Sequence, residues 1–438
     1  MSTALRSRLS LLHRRAGFGA RPDELDASVA AGYRATVERL LTFGPDPAAD
    51  PPPVLAPYPP PADSLPADPT ERAAALSKAR QASIEDTNKL SLWWLDRMVT
   101  TANPLQEKLT LFWHGHFATS AQKVTDPGYM YGQNQIFRTA GAGHLTDLTL
   151  AVSKDPAMLI WLDANSDRKA SPNENFAREL LELFTVGIGH YSEDDVKNAA
   201  RAFTGWQVNA QTRSFGFAAN QHDTGMRTFF GQTGSFSGED IVRMATTSPD
   251  AARFVAQKVF SHFARPVPFD DPVVGQLATG FAKDLDVTGL LRSVFTHPDF
   301  TSAATRVGLV KQPIEYVAGA LRALGLRAAG NTALLTKLAV LGQAPLAPPN
   351  VGGWPQNRYW LNSSTALQRL RLAATLVPRA DLSALAATPP AGRPRAAADL
   401  LGVVDGWGPA TTKALNRALG DPAVLMTLAL VAPEYLLA

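Results

Sequence analysis

Three acids, an arginine and two asparagines crowd into one short segment of this chain, Asn173-Glu174-Asn175-Phe176-Ala177-Arg178-Glu179-Leu180-Leu181-Glu182-Leu183-Phe184. Glu174, Arg178 and Glu182 follow one another at i+4 spacing, and Glu179 sits three residues before Glu182, so on a helix these groups are neighbours. The plain alternative is an intrahelical ladder facing water, which contributes only a few tenths of a kcal/mol per pair. Two features argue for a site. Asn173 and Asn175 suit a cap or a polar pocket better than a helix interior, and Leu180, Leu181, Leu183 and Phe184 surround the acids with apolar surface. A carboxylate in such surroundings has a raised pKa unless it is paired, and Arg178 would keep one neighbour ionised. Two carboxylates pushed apart in this way can divide acid and base roles.

Other chemistry-bearing residues lie elsewhere. His114-Gly115-His116 places two imidazoles two apart, which on a helix diverge by roughly 200° and so do not share a metal. His116 is then the inward residue, its plain alternative being a core-edge imidazole bonded to backbone. His222-Asp223 falls in a turn and is read as a ligand or acid if that turn folds over the Asn173–Phe184 helix, or as simple turn chemistry if it does not. Gly352-Gly353-Trp354-Pro355, with Tyr359 and Trp360, is an aromatic loop that either walls a substrate or plugs a core edge. Trp206 carries the same ambiguity.

The elements that must position these groups are helical. Apolar spacing and caps predict helices over 5–16, 23–42, 71–98, 126–140, 144–151, 155–163, 173–186, 238–245, 249–263, 271–284, 287–296 and 311–325, with further helices opening at Asn103-Pro104 and at the capping box Ser192-Glu193-Asp194-Asp195. Proline-dense residues 44–70 form an extended connector. Residues 206–236 break the rhythm with short alternating pieces, a small β-hairpin insert. The expected fold is mainly α: a single large helical domain with that insert and long Pro-rich loops. Residues 1–43 are N-terminal helices of the same unit, 71–387 the helical core, and 388–438 C-terminal helices packed on it, preceded by a Pro/Ala/Gly-rich stretch at 388–409.

Composition narrows the chemistry. The 438 residues include no cysteine, which removes disulfides, zinc–thiolate sites, iron–sulfur clusters and thiol nucleophiles. A net charge of +3 without any run of five or more like charges argues against nucleic acid as a partner. No apolar stretch approaches the roughly 18 residues of a membrane span, and the start lacks a secretory core, so a cytoplasmic location is expected. Dinucleotide, Walker, Gly-x-Ser-x-Gly and His-Glu-x-x-His motifs are missing.

Several strings together resemble the bacterial DUF1800 family: Leu11-Leu12-His13-Arg14-Arg15-Ala16-Gly17-Phe18-Gly19, Phe112-Trp113-His114-Gly115-His116-Phe117, Asn173 to Gly187, Ala202-Phe203-Thr204-Gly205-Trp206, His222-Asp223, Gly352-Gly353-Trp354-Pro355 and Ala432-Pro433-Glu434-Tyr435. The resemblance implies a large, largely helical protein without an assigned activity; many members carry an export signal that this chain lacks. Phe184 stands where many relatives have histidine, and His116 matches the family better than His114.

The expected function is hydrolysis of a saccharide or peptide-like polymer. Glu179 and Glu182 would be the acid–base or metal-binding carboxylates, with Arg178, Asn173 and Glu174 around them. Trp354, Trp206, Trp113 and Asn175 would contact substrate, and His116, His222 and Asp223 would hold a divalent cation with carboxylate oxygen. The alternative is a non-catalytic helical scaffold that binds a partner protein or envelope component.

Overall fold

The computed structural model describes residues 3–48 and 50–437. Twenty-three α-helices and two small antiparallel two-stranded sheets occur among them, so the protein is mainly α. No helix among the described residues is long and apolar enough to cross a membrane.

Most helices fall where apolar spacing puts them, and the departures have local causes. The helix expected over 23–42 is two, Pro22–Ala31 and Tyr33–Leu41. Gly32 separates them at φ +88°, a conformation that ends a helix and that other residues adopt only under strain. The long helix runs Pro69–Thr100, two residues beyond the expected span at each end; at its start the Asp68 side chain caps it by accepting from the amides of Thr70 and Glu71. The insert is two hairpins: β1 (Trp206–Asn209) pairs with β2 (Ser214–Phe217), and β3 (Arg227–Phe229) with β4 (Gln232–Gly234). The Pro/Ala/Gly-rich stretch 388–409 contains a helix, Arg393–Leu400, whose proline occupies the first turn, where no amide donor is missed. The helix Ala333–Leu341 lies outside every expected span.

Two apolar cores form. One gathers Leu9, Leu12, Leu105, Leu109, Phe112, Trp113, Leu180, Leu181, Phe184, Val255 and Val259, among others. The second gathers Trp94, Leu95, Leu111, Ile314, Val317, Trp354, Trp360 and Tyr435, among others. The helix Pro104–His116 sends Leu105, Leu109 and Phe112 into the first and Leu111 into the second, so it lies along their seam.

That helix is locked by a buried carboxylate. Glu107 is fully buried. It accepts from Arg138 Nε at 2.7 Å and Nη2 at 2.9 Å, from Arg97 Nε at 2.5 Å and from Trp94 Nε1 at 3.1 Å. Burial alone would push its pKa up, but Arg138 and Arg97 outweigh burial and hold it below the usual range. The cluster joins the helices Pro69–Thr100, Pro104–His116 and Pro127–Ala140.

Glu107→Gln should lower stability by roughly 3–5 kcal/mol, since it strands the buried Arg138 guanidinium and leaves the half-buried Arg97 with Asp46 alone. Urea unfolding of the variant measures this; a loss below about 1 kcal/mol would show that Arg97 and Arg138 find other partners.

Candidate functional site

The Asn173 segment folds as a short α-helix, Glu174–Glu179, that widens into a π-turn over Leu180–Thr185. Its polar groups serve caps and surface pairs. The Asn173 side chain accepts from the Asn175 amide at 3.0 Å and donates to the carbonyl oxygen of Asp163 at 3.0 Å; Asn175, exposed, donates to that of Leu162 at 3.3 Å. Arg178 turns to Glu193, with both bonds at 2.8 Å, and to Glu174 at 3.1 Å. Glu182 accepts from the Tyr191 hydroxyl at 2.7 Å instead of facing Arg178. Glu179 has no hydrogen-bond partner among the described residues; partial burial, and then Glu182, raise its pKa.

The other expected site residues are dispersed. Trp113 is fully buried, its indole donating to the Gly141 carbonyl at 2.8 Å. Trp206 is buried against Phe176, Phe203 and Phe215, so it packs the core and does not wall a cleft. His222 donates from Nδ1 to the Thr204 carbonyl at 2.8 Å, and Asp223 accepts from Arg201 Nε at 2.7 Å. Both tie the turn to the end of the helix Glu193–Phe203. Among the described residues no group of three or more His, Asp or Glu side chains gathers as a metal site.

Two expected residues do meet. His116 and Trp354 line one cavity of about 60 Å3 together with Leu183, Lys258, His262, Gln312 and Gln356. By the measure of about 10–15 Å3 per water, it admits several waters or one small chemical group. Leu183 is the Asn173–Phe184 segment's contribution to the lining; Glu179 and Glu182 lie outside it.

Backbone geometry builds the cavity. His116 ends its helix, and Phe184 leaves an unpaired carbonyl at the end of the π-turn. Imidazole Nε2 lies 3.0 Å from that carbonyl oxygen. A carbonyl only accepts, so Nε2 carries the proton and Nδ1 keeps its lone pair. Gly353, at φ +81°, packs so close to the helix end that a Cβ there would stand 2.1 Å from the Gly115 oxygen. That contact lays Trp354 against the His114 ring at 5.4 Å, over the cavity. His114 is sealed in an aromatic box, with neither ring nitrogen bonded. Opposite, the helix Pro249–Phe263 presents Lys258 and His262 one turn apart. Gln312 accepts from Gln343 at 2.6 Å, which leaves its amide N–H groups to the cavity.

The electrostatics are those of a basic, desolvated hollow. Burial, with Lys258 adding to it, lowers the His116 pKa to about 3; burial, then Lys108, lowers His262 to about 3. Burial also lowers Lys258, whose amine has no ion pair among the described residues and lies 5.1 Å from the Phe254 ring centroid. No carboxylate lines the cavity. Two imidazoles and an amine are a poor donor set for a hard divalent cation, which takes oxygen ligands, so the expected metal does not fit here.

Lys258, His262, Gln312 and Gln356 were absent from the expected site. Lys258 and His262 left a readable trace, an i, i+4 polar pair on the otherwise apolar stripe Val255, Val259, Phe260, Phe263. The two glutamines left none.

A family model described as a protein of unknown function, DUF1800, matches residues 11–437. No curated protein and no solved structure matches the chain.

His13, His114, His116 and His262 are all held neutral, His13 at about 4 and the others at about 3. Unfolded, each takes a proton near about 6.5. Their contribution to stability is therefore complete above about pH 6.5 and is lost as pH falls toward about 3. His116→Asn should reduce the slope of unfolding free energy between about pH 6 and 4 by one proton, about 1.4 kcal/mol per pH unit. Parallel curves for variant and parent in urea titrations at stepped pH would refute the assignment.

Proposed function

The chain belongs to the DUF1800 family of proteins of unknown function, and on that premise we propose that it is a hydrolase whose acid–base groups are the imidazoles of the cavity and not the carboxylates of the neighbouring helix. The observation that carries this reading is the convergence of His116, Lys258 and His262, none with a carboxylate partner, on one small hollow. In the proposed reaction a water in the hollow attacks the acyl carbon of the substrate and passes its proton to Nδ1 of His116. The negative charge that develops on the acyl oxygen faces the Lys258 ammonium and the Gln312 amide. Collapse of the tetrahedral adduct breaks the bond to the leaving nitrogen or oxygen, which recovers the proton from His116.

A pKa of about 3 makes His116 a weak base in the free protein. An anionic group entering the hollow would raise both imidazole values toward the range where proton transfer is efficient. The reading therefore favours a substrate that brings negative charge. Glycoside cleavage by paired carboxylates needs two acids across the scissile bond, and the lining supplies none. Of the two polymer classes expected, a peptide-like one is favoured, entering by its end because the hollow is too small for a chain to cross. The scaffold alternative draws support from the surface set Glu174–Arg178–Glu193, which is paired and free to face a partner.

The test is turnover of chromogenic acyl anilides and esters bearing a carboxylate, beside neutral analogues and glycosides. Acyl turnover should favour the anionic substrates, fall about 100-fold or more in His116→Gln, and survive the Glu179→Gln/Glu182→Gln double substitution. Glycoside cleavage abolished by that double substitution would return the site to the helix carboxylates.

A further inference from the structure

Two sequence motifs play no part in that hollow: His13-Arg14-Arg15 near the start and Ala432-Pro433-Glu434-Tyr435 near the end. The fold brings them together on Lys311. A separate cavity of about 20 Å3 is lined by Ser10, Arg14, Lys311, Arg322, Gly402 and Tyr435, among others, with no Asp or Glu in its lining.

The cations there are under-compensated. Lys311 is only 5 % exposed and has no hydrogen-bond or ion-pair partner for its amine among the described residues. Its Nζ sits 3.4 Å from the centroid of the Tyr435 ring. Arg14 Nη1 donates to the Gly402 carbonyl at 3.1 Å and to Ser10 Oγ at 3.4 Å, while its Nε is buried without a partner. Arg322 is committed to Glu24 and to the Val99 carbonyl. The Tyr435 hydroxyl is buried and unbonded. Burial first, and then Arg14, Lys108 and Arg15, push the Lys311 amine well below its ordinary pKa. Two acids oppose them from outside the lining: Glu315, held by Lys108 at 2.5 Å, acts on Lys311, and Asp405, bonded by Ser7 at 2.9 Å and paired with Arg306 at 3.4 Å, acts on Arg14. A cation–π contact offsets only part of the cost of a buried, unpaired ammonium.

We propose that this cavity binds a small inorganic anion of chloride size between Arg14 and Lys311. Its volume is that of one or two waters at about 10–15 Å3 each, which suits a monatomic anion and excludes a tetrahedral oxyanion. The anion ties the Thr3–Arg15 helix and the C-terminal turn to the segment before the helix Pro313–Ala323.

The experiment is thermal unfolding of the full chain in sodium chloride against sodium gluconate at equal ionic strength, with sodium phosphate as the size control and ³⁵Cl line broadening as a direct readout. Chloride should give a saturable rise in Tm of roughly 2–5 °C over gluconate, together with line broadening. Both should vanish in Lys311→Met and weaken in Arg14→Gln. Lys311→Met replaces an unpaired buried charge by a similar apolar chain and is expected to fold; circular dichroism checks this, and Arg14→Gln serves in its place otherwise. No chloride-specific effect in the parent, or an equal effect in Lys311→Met, overturns the site. An equal rise with phosphate overturns the size assignment.

Discussion

The Glu107 carboxylate fixes the helix that carries Lys108 to Glu315 and His116 to the hollow. It is fully buried, and three donor side chains from two other helices fill its acceptor positions. A helix gripped at that residue can neither rotate nor slide without separating charges in a medium where water cannot replace the lost partners. Lys108, one position on, points about 100° away and meets Glu315 and the Gly17 carbonyl. Lys108, Phe112 and His116 are spaced at i+4 and share one stripe, the face turned toward Lys258, His262 and Gln312. The rotation set by Glu107 thus determines which side chains reach the hollow.

The fold was legible in the sequence where one segment carries its own information. Apolar period, prolines at helix starts and capping side chains are local, and they give the element order and most boundaries. The misreadings have local causes too. Gly32 interrupts an apolar spacing that continues across it, and the Pro/Ala/Gly-rich composition of 388–409 masks the helix Arg393–Leu400, whose proline lies in the first turn, where no amide donor is needed.

The site was less legible because its residues come from five separate stretches, 111–116, 183, 258–262, 312 and 352–356, joined only by packing. His116 and Trp354 stood out since their residue types are rare and their contexts unusual. The Asn173 cluster stood out for the opposite reason: its density of charge belongs to a helix end that must be capped and to a surface that must be solvated. Arg178 chose Glu193 over Glu182, a partner 15 residues away that no intrahelical spacing could reveal. What the cluster does supply is a backbone group. The π-turn ends with the Phe184 carbonyl free, and that carbonyl sets the tautomer of His116. A segment chosen for its side chains matters to the hollow through its main chain.

The hollow and the inner cavity share one electrostatic constraint. Arg14, Arg15 and Lys108 all act on Lys311, Glu315 opposes them, and Lys258 stands apart in the lining of the hollow. Glu315 also accepts from the Gln312 amide at 3.1 Å, which caps the helix and holds Gln312 at the lining of the hollow. One carboxylate therefore both neutralises Lys108 and places an amide donor. It opposes the charge of Lys311 without an ion pair to it, and it is not paired with Lys258. Apolar packing explains why the two cores exist; it does not explain why cations line the seam in excess. A protein that only needed a stable seam would fill it with leucine or with matched pairs, since unpaired buried charge costs more than either. The excess is accounted for if negative charge arrives from outside the chain, permanently in the small cavity behind Tyr435 and transiently, with substrate, in the hollow beneath Trp354.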